Sequence, residues 1–107
     1  MKPIAEFEIV DHGIEHEQYF QGCGVSHSVF DAMATGIGDN FAEATDDALE
    51  SLAQSGWEVD DMDNRILDAI SIDAAPYTTL PIKPSVAELC PDDEDGSMHY
   101  YVSIRVK

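Results

Sequence analysis

Residues 98–106 alternate without a break. Met98, Tyr100, Val102, Ile104 and Val106 fall on one face, and His99, Tyr101, Ser103 and Arg105 fall on the other, with Lys107 continuing the outer row. A period of two marks a strand with one buried face. Such a strand needs partner strands for its backbone groups and a second layer over its apolar side. A chain of 107 residues has room for one such layered domain.

The rest of the chain supplies the missing pieces. Residues 4–10 read as a strand, with Ala5, Phe7 and Ile9 on one face and Glu6 and Glu8 on the other. Residues 11–24, punctuated by Gly13, Gly22 and Gly24, read as a turn and a short irregular strand. Residues 25–35 read as a second clear strand. Val29 and Met33 lie on one side and Phe30, Ala32 and Ala34 on the other, which suits a central position. Gly36-Ile37-Gly38-Asp39-Asn40 reads as a turn into a helix, capped by Asp39 or Asn40, and Asn40 with Glu43 has capping-box spacing. Phe41, Ala44, Ala48 and Leu52 form the buried stripe, and Gly56 stops the helix. Trp57-Glu58-Val59 turns the corner, with Trp57 as a core or hinge residue. A second helix is expected from Asp61 to Ile70, buried through Met62, Ile66, Ala69 and Ile70, with Asp61 and Arg65 as a favourable i,i+4 pair.

Four of the five prolines fall in 71–91, which predicts an extended connection with one helical turn near Val86–Leu89. Residues 92–96 form an acidic turn. Glu6 and Glu8 on the first strand face the opposite charge of Arg105 and Lys107, so the first and last strands are expected to be neighbours.

Composition then excludes several classes. Apolar content of 44% is enough for a core. No stretch approaches the roughly 18 apolar residues of a membrane span, and the N-terminus lacks the apolar core of a signal peptide. Two cysteines, Cys23 and Cys90, cannot staple a disulfide scaffold, so a reducing cytoplasm is the expected setting. With 22 acids against 5 bases the net charge is −17, which argues against direct contact with nucleic-acid phosphates. Duplex DNA carries one charge per about 1.7 Å of axis, so 17 charges match about 29 Å of duplex. A domain of this size is roughly 30–35 Å across, so its charge is close to that of DNA of its own length. The match permits DNA mimicry; plain solubility is the bland alternative.

Placement of the charge sharpens the question. Residues 39–73 hold eleven acids and one base, Arg65, and so carry −10 of the −17. Nine of the acids are the candidate partner-binding set: Asp39, Glu43, Asp46, Asp47, Glu50, Glu58, Asp60, Asp61 and Asp63. Glu43/Asp47 and Asp46/Glu50 are like-charged i,i+4 pairs, each costing about 0.2–0.5 kcal/mol. Solubility does not require so one-sided a face, whereas a basic partner does.

Other chemistry is weaker. His12, His16, Cys23 and His27 are the most ligand-like set. A hairpin centred between Tyr19 and Phe20 would pair 12 with 27 and 16 with 23 on one face. Residues four apart on a strand are about 13 Å apart, so the two pairs could not share one tetrahedral zinc. Surface histidines and a small buried cysteine are the alternative. The acidic turn 92–96 and the run 60–63 lack the spacing of a calcium loop. Gly36-Ile37-Gly38 before a helix has the look of a phosphate cradle, but Asp39 beside it would repel a phosphate. No nucleophile or carboxylate pair stands out for catalysis, and no cofactor is implied.

The strand 25–35, Gly36-x-Gly38 and a helix with Glu43-Ala44 and Ala48-Leu49 resemble the last strand and final helix of double-stranded RNA-binding domains, over about a quarter of the chain. That family carries a basic cluster where this chain has Asp39, Glu43, Asp46 and Asp47, so the resemblance implies a layered α+β shape without RNA binding. Tyr19-Phe20-Gln21-Gly22-Cys23-Gly24, followed by Gly36-Ile37-Gly38-Asp39 and Glu43-Ala44, resembles a group of small acidic bacteriophage-encoded proteins. That resemblance implies a phage or mobile-element origin, a class that includes inhibitors of host defence of the anti-CRISPR and anti-restriction type.

The expectation is a single α+β domain: an antiparallel sheet of three to four strands with two helices packed on one face. Its expected role is binding without catalysis. The acidic helix face would occupy a basic nucleic-acid-binding host protein in the bacterial cytoplasm, with no membrane contact. A zinc domain built on His12, His16, Cys23 and His27, or an accessory phage protein acidic only for solubility, are the alternatives.

Overall fold

A computed structural model describes residues 2–20, 26–27, 31–72, 80, 82–92 and 96–107, with the side chains of 26, 27, 71 and 72 outside that description. The elements in chain order are β1 (Lys2–Pro3), β2 (Phe7–His16), a 3-10 turn (Glu17–Phe20), β3 (Ser26–His27), β4 (Ala32–Gly38), α1 (Phe41–Gln54), β5 (Trp57–Glu58), α2 (Met62–Ile72), α3 (Val86–Leu89) and β6 (Met98–Val106). The architecture is α+β. The main sheet is antiparallel in the order β2-β6-β4-β3, and β1 and β5 form a two-residue parallel ribbon.

β6 lies in the middle of the sheet, as its alternation demands. Tyr100, Val102, Ile104 and Val106 are fully or almost fully buried beneath the helices. Each such side chain contributes roughly 1.5–3 kcal/mol relative to exposure. The first and last strands are neighbours, with Phe7 opposite Val106 and Glu8 opposite Arg105. The Glu8–Arg105 ion pair at 4.0 Å is solvent-exposed and adds little to the ladder itself.

Three local readings are corrected. The first strand does not stop at residue 10. The register shifts between Ile9 and Asp11, leaving Val10 as an extra residue. This bulge changes the parity of the inward positions, from Phe7 and Ile9 before it to His12 and Ile14 after it. The strand runs on to His16. Next, residues 25–35 are not one continuous strand. Ser26 pairs with Met33 and His27 with Ala32, antiparallel, so these positions belong to two separate strands. Finally, Gly36 and Gly38 belong to β4, and the turn is confined to Asp39 and Asn40.

The two glycines explain how α1 meets the sheet. A Cβ on Gly36 would lie 2.2 Å from both the Ala44 carbonyl oxygen and the Ala48 nitrogen, and one on Gly38 would lie 2.6 Å from Glu43 Cβ. The helix backbone therefore rests directly on β4, with Ala44 and Ala48 fully buried at the contact. The Gly-x-Gly signal serves helix–strand packing.

α1 starts as its sequence predicts. Asn40 is the cap, its Oδ1 accepting from the Glu43 amide at 2.9 Å. Glu43 reaches back to accept from the Asp39 amide at 2.9 Å, one residue earlier than in an ordinary capping box. Thr45 and Leu49 join Phe41, Ala44, Ala48 and Leu52 in the buried stripe. Ser55 ends the helix and Gly56, at φ +95°, turns the chain away. Trp57 is a core residue, covered on one side by Lys2, whose Nζ lies 5.4 Å from its ring centre. On α2, Met62 and Ile66 are buried, whereas Ala69 and Ile70 are half-buried. α3 is the one-turn helix expected at Val86–Leu89, with Ser85 as its cap and Val86 in the core. Among the described residues no helix is long and apolar enough to cross a membrane.

The face of the sheet opposite the helices is also partly covered. Tyr101, placed outward by alternation, is 7% exposed. Tyr19 and Phe20 fold back over it, each with its ring 5.7 Å away, and Tyr101 donates a 2.8 Å hydrogen bond to Asp11.

Candidate functional site

The acidic segment 39–63 forms the outer side of α1, the β5 corner and the start of α2. Of the nine candidate acids, eight are exposed and Asp47 is half-buried. They do not all do the same work. Asp39 anchors α3: its carbonyl accepts from the Val86 amide at 2.8 Å and its side-chain Oδ1 from the same amide at 3.3 Å. Glu43 caps α1. Asp47 accepts from the Ile37 amide at 2.9 Å and so ties α1 to β4. These three acids are explained at least partly by the fold.

The remaining six make no such side-chain contact with the backbone among the described residues. Glu50, Glu58, Asp60 and Asp61 are exposed, and among the described residues none of them has a side-chain hydrogen bond or ion pair. Asp46 on α1 and Asp63 in the first turn of α2 converge. Burial, a hydrogen bond with Asp63 and the charges of Asp63 and Glu43 all push the Asp46 carboxyl above its ordinary value. Acids near a helix N-terminus complement its dipole, which accommodates Asp60, Asp61 and Asp63 at α2. Asp46, mid-helix, has no such support.

The one base in this region gives no relief. Arg65 does not pair with Asp61 as its spacing suggested. Its guanidinium donates to the Ile4 carbonyl at 2.7 Å and the Ala5 carbonyl at 3.3 Å, and it lies 5.3 Å from the Phe7 ring centre. Two successive backbone carbonyls of the segment leading into β2, the first from buried Ile4, outcompete a solvated carboxylate for a planar donor fork. Among the described residues none of these nine acids forms an ion pair.

Beside the Asp46–Asp63 pair lies a cavity of about 220 Å³ between α1 and α2, walled by Phe41, Ile66 and Ile82. Thr45 also lines it. Its hydroxyl is buried and has no hydrogen-bond partner among the described residues, although a mid-helix threonine can bond back to the carbonyl four residues earlier. Periodicity placed Phe41, Ala44, Ala48 and Leu52 in the stripe and missed Thr45, and no motif marks the cavity.

The histidine and cysteine set is not assembled by the predicted hairpin. His12 lies opposite Val102 and His16 opposite Met98, because β2 pairs with β6 and β3 pairs with β4. His12 faces the core, its Nδ1 2.6 Å from the Tyr100 hydroxyl and its ring edge-on to Phe41. Burial lowers its pKa against the opposing effect of Asp11, and burial pushes the Tyr100 phenol up to about 12. His16 Nδ1 accepts from the Gln18 amide. Cys23 and the His27 side chain lie outside the described residues, as does most of the acidic turn 92–96. Among the described residues no three His, Cys, Asp or Glu side chains come together to hold a metal ion.

Comparison of the chain with protein-family models, with curated proteins and with solved structures returned no match. The functional reading therefore rests on the chemistry of the site.

Proposed function

We propose that this chain is a non-enzymatic binding module whose acidic helical face docks on the basic nucleic-acid-binding surface of another protein. In the setting that the phage-protein resemblance implies, it acts as an inhibitor of a host nucleic-acid-handling complex, offering carboxylates where phosphates would sit. One observation carries the reading: Asp46 and Asp63 line one cavity from two helices while Arg65, the sole base between residues 39 and 73, is turned away to the Ile4 and Ala5 carbonyls. Like charges so placed cost stability in the free protein. A cationic partner removes that cost and is steered in by the same field.

The test is charge reversal at acids that the fold does not use. Glu50→Lys, Glu58→Lys and Asp60→Lys together change the net charge by +6, from −17 to −11, and leave Asn40, Glu43 and Asp47 intact. The wild type, immobilised, is expected to capture a nucleic-acid-binding protein from bacterial lysate at low salt and release it at high salt. The folded triple variant is expected to capture none. Capture that is indifferent to these changes would place the contact elsewhere.

A further inference from the structure

α1, α2 and α3 share one core with the inward side of β6. The molecule measures 41 × 33 × 19 Å, thin across its two layers. On the other side of the sheet a hollow of about 390 Å³ is walled by Val10, Asp11, Tyr19, Met33, Thr35 and Ser103. Two of the four exposed large apolar side chains among the described residues stand at this hollow, Val10 at 43% and Tyr19 at 56%. The bulge in β2 supplies Val10, the extra residue of the ladder. The 3-10 turn brings Tyr19 back over Tyr101. The polar groups around the hollow are satisfied by one another. Thr35 Oγ1 and Ser103 Oγ lie 2.8 Å apart. Tyr101 donates to one Asp11 oxygen at 2.8 Å, and the other accepts from the His12 amide at 2.9 Å. Burying groups that already have partners costs far less than burying lone ones. The charge is also nearer balance than anywhere on the helical side. Glu6, Glu8, Asp11 and Glu15 stand against Arg105 and Lys107, four acids to two bases, where the whole chain has 22 to 5.

We propose that this face is the contact between two copies of the chain, packed sheet to sheet about a twofold axis with Val10, Tyr19 and Met33 at its centre. The proposal is independent of the docking reading, which uses the opposite face and keeps its acids turned outward in the dimer. A second copy fits better than a basic partner, because this face has little net charge to attract one. A twofold contact uses one patch twice, so the patch has to complement itself. This one does: apolar and aromatic side chains sit at the middle, and the charges of Glu8, Glu15 and Arg105 sit toward the rim, the arrangement usual in such contacts. The area is sufficient. A broad face of the molecule is on the order of 1,000 Å², against about 800 Å² per partner in a standard interface. The charge of the chain does not forbid the contact. At about 0.15 M salt the screening length is about 8 Å, and the acids of α1 lie on the far side of a molecule 19 Å thick.

The test is sedimentation equilibrium of the whole chain over a dilution series from about 100 μM, roughly a hundredfold above a Kd of about 1 μM. The wild type is expected at twice its 11.7 kDa at the top of the series. The dimer is expected to persist at about 1 M salt, which screens what repulsion remains between the copies and which releases a partner held by the acidic face. Val10→Lys and Tyr19→Ser, both at exposed positions, are each expected to weaken the dimer about tenfold or more, with thermal melts confirming that they fold. Val10→Lys also makes the chain less negative, so if general repulsion set the association this variant would associate more tightly. Reversal of Glu50, Glu58 and Asp60, on the other face, is expected to leave the dimer intact. Amide shifts of the isotope-labelled wild type are expected to move with concentration at Val10, Thr35 and Ser103 and to stay fixed along α1. A single 11.7 kDa species at the top of the series would overturn the proposal. A dimer that both variants retain, or whose concentration-dependent shifts fall on α1, would overturn it equally. The lysate capture judges the acidic face separately, so failure of one reading does not carry the other with it.

Discussion

Replacing Gly36 by alanine tests the contact on which the whole helical layer depends. Gly36 sits in β4 under α1, and its new methyl would lie 2.2 Å from the Ala44 carbonyl oxygen and from the Ala48 nitrogen, where ordinary contact begins at 3.4 Å. The shortfall is 1.2 Å, and both obstructing atoms are helix backbone, which has no rotamer to change. α1 would have to lift from the sheet by about that distance, loosening Ala44, Ala48 and Leu52, all fully buried. Overpacking a tight core costs about 1–3 kcal/mol and occasionally more; a backbone clash this deep belongs at about 3 kcal/mol. Against a typical stability of about 5–15 kcal/mol that is a large share. It corresponds to a fall in Tm of roughly 12–24 °C for a domain of this size. Gly56→Ala is the control: φ there is +95° but no atom lies within 4 Å of the added methyl, so only backbone strain of about 1 kcal/mol is expected. Urea denaturation and thermal melts of the two variants separate the mechanisms. If Gly36→Ala is no worse than Gly56→Ala, α1 does not rest on β4 as described.

Other perturbations follow from the same geometry. Asp46→Asn removes one of the two converging carboxylates and should stabilise the free protein by up to about 0.5 kcal/mol in urea unfolding, while weakening partner capture. Arg65→Met keeps the apolar stem but drops the bonds to the Ile4 and Ala5 carbonyls, and should cost about 2 kcal/mol with faster amide exchange along residues 2–9. The His12 pKa is lowered in the folded state, so the unfolded chain binds the proton first. The stability that His12 contributes is complete above its unfolded pKa of about 6.5 and is lost as pH falls through that value toward the folded one. His12→Gln should flatten the stability profile as pH falls below about 6.5, and an unchanged slope would mean that His12 is not buried against Tyr100 and Phe41.

The fold was legible where one periodicity ran unbroken and where caps agreed with it. β6, α1 with its Asn40 cap, and the single turn at Val86–Leu89 all declare themselves this way. β2 was half hidden because the Val10 bulge moves the inward positions from odd to even, so Phe7, Ile9, His12 and Ile14 match no single period. Residues 25–35 misled for the opposite reason: apolar residues on both faces suit a continuous strand as well as two separate strands. The acidic face could be located from residue counts along 39–73. What the sequence did not show is the division of labour within it. Glu43 and Asp47 serve α1 and its tie to β4, and Arg65 looks like Asp61's partner until the Ile4 and Ala5 carbonyls are placed beside it. Thr45 and the cavity depend on how α2 lies against α1, which no local pattern encodes.

The central claim is that the carboxylates of α1 and α2 stand in for nucleic-acid phosphates. The most direct measurement is to immobilise the protein, load it with bacterial lysate at low salt, and elute with duplex DNA before any salt step, identifying the eluate by mass spectrometry. The account predicts a nucleic-acid-binding protein released by DNA alone, and none from the Glu50, Glu58 and Asp60 charge-reversed variant. A captured protein that DNA cannot displace, or that the charge-reversed variant holds equally well, would contradict it.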